Sequence, residues 1–127
     1  MSDLYAIGMT GALFIAATFS NFQFVITFAR KNVEIVSGVA DGAPVPLELR
    51  WRQLMVMQVV LVGFTAALNL VMAYCFLTIG NHVVAPDVRL LAQVCAWIYV
   101  SASAFLLIVA PTIIVAISRL LRQATAD

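Results

Sequence analysis

The side chains that could do chemistry in this chain are amides and hydroxyls set within long uncharged runs: Asn21 and Gln23, then Asn69, then Ser101 and Ser103. Amides and hydroxyls donate and accept hydrogen bonds without changing charge near neutral pH. A hydroxyl becomes a nucleophile only with a base beside it, and no base lies in these runs. In hydrocarbon such groups bond one helix to another, at about 0.6 kcal/mol for an average pair. Lining a polar path for solutes is the alternative use. Gln58, Thr65 and Asn69 share one helical face, at spacings of seven and four. Ser20, Gln23 and Thr27 form a second row.

What is missing narrows the chemistry further. The single histidine is His82, outside the apolar runs. A buried haem held by two histidines of one chain is therefore excluded. Ion-coupled transport generally uses a carboxylate or a broken helix within a span. Here the runs contain no Asp or Glu, and only Pro111 hints at a break. Voltage sensing needs regularly spaced Arg in a span, and phosphate binding needs a glycine-rich loop; neither pattern occurs. The expectation is a protein without enzyme activity, cofactor or metal. Cys75 and Cys95 each lie ten residues from Ala85. They would match in depth across a hairpin, either bridged or as two small buried apolar groups.

The elements that must position these groups are plain. Residues 4–29, 54–79 and 90–117 contain no Asp, Glu, Lys, Arg or His. Each run exceeds the ~20 residues a helix needs to cross a ~30 Å hydrocarbon core. Hydrophobic residues make up 64% of the chain and charged ones 10%, against roughly 25% charged in a soluble domain. The reading is an all-α integral membrane protein, a single domain over residues 1–127. Its three transmembrane helices are placed at about 4–29, 54–80 and 89–118. Met1, Ser2 and Asp3 carry no base before the first run, which argues against a cleaved signal sequence. The net charge of +1 gives no reason to expect a nucleic-acid partner.

Charge sets the expected orientation. Arg30, Lys31, Arg50, Arg52, Arg119 and Arg122 fall on one side, and Arg89 alone on the other. The positive-inside bias puts the N-terminus outside and the C-terminus in the cytoplasm. Tyr5 and Trp51 suit the two interfacial belts. Helices one and two are expected to run on as a short cytoplasmic hairpin. Gly38 would follow the first helix, Pro46 would open the second, and Asp87 would cap the third. Pro111 should kink the third span. Arg outnumbers Lys six to one, which points to a bacterial source and the inner membrane as the location.

One pattern concerns assembly. Gly8, Ala12, Ala16 and Ser20 recur every four residues. Such a small-residue ladder lets another backbone approach closely. Phe14, Phe24 and Phe28 mark the opposite side, facing lipid or an apolar partner. Beyond the lipid bilayer, the expected partner is a second copy or a larger membrane complex. The function expected is that of a non-catalytic structural or accessory subunit; the alternative is a homo-oligomeric pore with Ser20, Asn21, Gln23 and Asn69 facing water.

Overall fold

A computed structural model describes residues 2–37, 39–40, 43–44 and 47–126. Helix α1 runs Asp3–Ser37, 35 residues without an interior proline. Two short strands, β1 (Val39–Ala40) and β2 (Ala43–Pro44), pair antiparallel beyond it. Helix α2 (Leu47–Met57) passes through a π turn, Gln58–Val62, into α3 (Gly63–Asn81). After a short connection, α4 runs Pro86–Ala126 for 41 residues. Three helical stretches, Asp3–Ile35, Leu49–Asn81 and Pro86–Leu120, are long and apolar enough to cross a membrane. They extend past the uncharged runs because nothing in the flanking residues breaks a helix. The expected positions of Gly38 and Pro46 lie outside the described residues.

The α3–α4 hairpin is the most extensively packed pair, and α1 lies against it more sparsely. The core forms three layers along the bundle. Ala6, Ile79, Val83 and Val88 close the end nearest the α3–α4 connection. Ala17, Ala73, Phe76, Cys95, Ala96 and Tyr99 fill the middle. Phe24, Phe28, Leu54, Val62, Ala110 and Ile114 fill the far end, with Ile35. Alanines in the middle layer make room for Phe76, which stacks on Tyr99 with ring centroids 5.5 Å apart.

Two local expectations change. Phe24 and Phe28 do not face outward: both are buried and stack on each other at 5.4 Å. Only Phe14 stays at the surface, edge-on to Tyr99 at 6.1 Å. Both rings belong to the far core layer, with Leu54, Val62 and Ile114. Asp87 is not the cap of the last helix. Pro86 opens α4, where a missing N–H costs nothing, and the Ala85 carbonyl accepts from the Arg89 amide at 3.1 Å. Asp87 instead adds negative charge to the first turn, favourable for the helix dipole. Pro111 sits inside α4, and the helix continues through it.

Candidate functional site

The polar groups within the spans meet inside the chain. Asn21 of α1 and Asn69 of α3 exchange carboxamide hydrogen bonds: each Nδ2 donates to the other's Oδ1, at 2.8 and 2.9 Å. The second hydrogen of the Asn21 amide goes to the Ala17 carbonyl at 2.8 Å. Asn69 is 3% exposed and Asn21 half-buried. A carboxamide offers two donors and one doubly accepting oxygen, so two facing Asn satisfy each other in an apolar setting. Unpaired, each would carry the cost of a desolvated polar group.

Three further bonds tie the helices together. The buried Ser103 hydroxyl of α4 donates to the Ala66 carbonyl of α3 at 3.0 Å. The Tyr99 hydroxyl reaches α1, donating to the Phe14 carbonyl at 3.1 Å and lying 3.1 Å from the Thr18 hydroxyl. Asn21, Asn69, Ser103 and Tyr99 thus bind all three spanning helices in the middle of the bundle. Tyr99 and Thr18 were not legible as partners in the sequence. The only hint is that Tyr99 lies four residues before Ser103, on the same helical face.

The other predicted residues fall elsewhere. Gly8, Ala12, Ala16, Gln23 and Ser101 are exposed, and Ser20 is half-buried. The face of α1 that packs in the chain holds Ala6, Thr10, Ala17, Phe24 and Phe28. At 3.6 residues per turn, the ladder lies about 120° around the helix from that face. A Cβ built on Gly8 would meet nothing within 4 Å. Gly8, Ala12 and Ala16 therefore lie off the packed face, and Gln23 shares their outward side.

Some polar groups serve only their own helix. Thr78 and Thr112 donate to the carbonyls of Tyr74 and Ile108, four residues back, at 3.0 and 2.9 Å. At the α3–α4 connection the Arg89 guanidinium donates to the Val83 carbonyl at 2.8 Å. His82 Nδ1 lies 2.8 Å from the Thr78 carbonyl. Two buried atoms, Thr10 Oγ1 and Asn32 Oδ1, lack a hydrogen-bond partner. Cys75 and Cys95 are both free thiols. Among the described residues no three His, Cys, Asp or Glu side chains converge as metal ligands.

The geometry so far defines a class: a helical, multi-pass membrane protein whose spans are bonded to one another through neutral polar groups. No protein-family model, curated protein or solved structure matches this chain.

Proposed function

We propose that this chain is a non-catalytic structural or accessory subunit of the bacterial inner membrane. Its N-terminus lies outside and its C-terminus in the cytoplasm, following the basic residues at one end. It assembles with a second copy or with a larger membrane complex. The observation that carries this reading is the Asn21–Asn69 clasp. The two amides best suited to line a water path bond each other at 2.8 and 2.9 Å within one chain. The outward ladder of Gly8, Ala12 and Ala16 supports assembly, since small exposed residues let a neighbouring backbone come close.

The second reading, a homo-oligomeric pore, draws on Gln23 and Ser101, which are polar and exposed. The two readings part in liposomes. Purified protein, with its oligomer number fixed by native mass measurement in nanodiscs, should pass no ion or small solute above empty vesicles. Reproducible flux abolished by Gln23→Leu, with fold and oligomer retained, would install the pore instead.

A further inference from the structure

The end of the bundle away from the α3–α4 connection carries Arg30, Lys31, Arg50, Arg52, Arg119 and Arg122, six of the chain's seven basic residues. By sequence, four acids share that end: Glu34, Asp41, Glu48 and Asp127. Lys31 lies 3.5 Å from Glu34. Two helix ends are joined at this place. The Arg122 guanidinium of α4 sits over the Trp51 ring of α2, 5.8 Å from its centroid. Because α2 and α4 run antiparallel, that contact fixes the height of their neighbours. Arg52 lies one residue from Trp51 and Arg119 three residues from Arg122, both toward the membrane. At 1.5 Å per residue they differ in height by about 3 Å. Both are exposed.

Large apolar side chains are interleaved with these bases. Leu120 is 63% exposed, and Leu49, Trp51 and Met55 are each at least 40% exposed. Leu49, Trp51, Met55 and Leu120 belong to the ends of membrane-length stretches, so an anion held beside them sits at headgroup depth. An acidic headgroup with acyl chains beneath it accounts for both the bases and the apolar side chains.

We propose that the α2–α4 end is a binding site for anionic phospholipid. Arg52 and Arg119 meet the headgroup phosphate, and Trp51 and Leu120 lie at the boundary with the acyl chains. The proposal rests on the helices spanning a bilayer and is independent of oligomeric state.

The test uses Trp51 as reporter. The chain has two tryptophans; the other, Trp97, is exposed and is replaced by Phe. The protein is reconstituted in vesicles of phosphatidylcholine with increasing brominated phosphatidylglycerol, or with brominated phosphatidylcholine alone. Phosphatidylglycerol should quench Trp51 at the lower mole fraction. Each basic group near the surface contributes about fivefold to the preference, so Arg52→Gln with Arg119→Gln should weaken it by about that factor per change. Arg89→Gln, at the other end, should leave it intact. Equal quenching by the two lipids overturns the site, and this arm needs no arginine variant to fold. A preference untouched by the double change also overturns it. So does one erased by millimolar glycerol phosphate, which would assign the cluster to a soluble anion.

Discussion

Asn21 and Asn69, 48 positions apart in sequence, hold each other through two reciprocal amide hydrogen bonds. Removing one partner leaves the other's amide facing an apolar core, whereas removing both leaves nothing unpaired. Asn21→Leu and Asn69→Leu should each destabilise the bundle. The double variant should lose less than the sum, with a coupling of about 1 kcal/mol. Reversible unfolding of all four proteins in mixed micelles measures it. Strict additivity would show that the clasp contributes nothing.

Neighbouring alanines on α1 should respond oppositely. Ala17 is 1% exposed, in the middle core layer. Leucine there overpacks the bundle, costing about 1–3 kcal/mol. Ala16 is exposed, so Ala16→Leu should leave the unfolding of a single chain unchanged and reduce the oligomer fraction. Sedimentation in detergent separates the two effects. A loss of chain stability at Ala16 equal to that at Ala17 would remove the ladder from consideration as an outer contact.

Orientation can be read by labelling. Val84 is 86% exposed in the α3–α4 connection, and Ser37 is exposed at the other end of α1. Val83, its neighbour, is 1% exposed and a poor target. In a background without Cys75 and Cys95, a cysteine at Val84 should react with an impermeant maleimide on intact cells. One at Ser37 should react only after permeabilisation. The opposite order would invert the protein in the membrane.

The stacked pair Phe76 and Tyr99 should separate volume from hydrogen bonding. Phe76 is fully buried, so Phe76→Ala opens a cavity and should cost about 3–5 kcal/mol. Tyr99→Phe keeps the stack and removes the hydroxyl that reaches Phe14 and Thr18, for about 1 kcal/mol. Calorimetric or denaturant midpoints would rank the two. A Tyr99→Phe loss as large as that of Phe76→Ala would place the stabilisation in the hydroxyl.

Three membrane-length helices were legible from the sequence because the signal is one-dimensional. A run such as residues 90–117, without a charge, cannot be solvated and must be helical in hydrocarbon to satisfy its own backbone. The polar members of the site were legible for the same reason: Asn21, Asn69 and Ser103 stand out against an apolar background. Their pairing was not. It depends on how far each helix is rotated about its axis, which hydrophobicity does not set in an apolar medium.

The chain's composition and charge pattern alone determined its class, its count of apolar helices and the residues able to hydrogen-bond within them. Tertiary structure decided which side of α1 faces inward. A ladder of Gly8, Ala12 and Ala16 looks like the closest-packing face in isolation, yet Ala6, Thr10, Ala17, Phe24 and Phe28 occupy the core. That second face brings Asn21 to Asn69 and seats two rings in the far core layer. Rotation of a helix in an apolar medium is set by such specific bonds and shapes, because hydrophobicity no longer distinguishes one face from another.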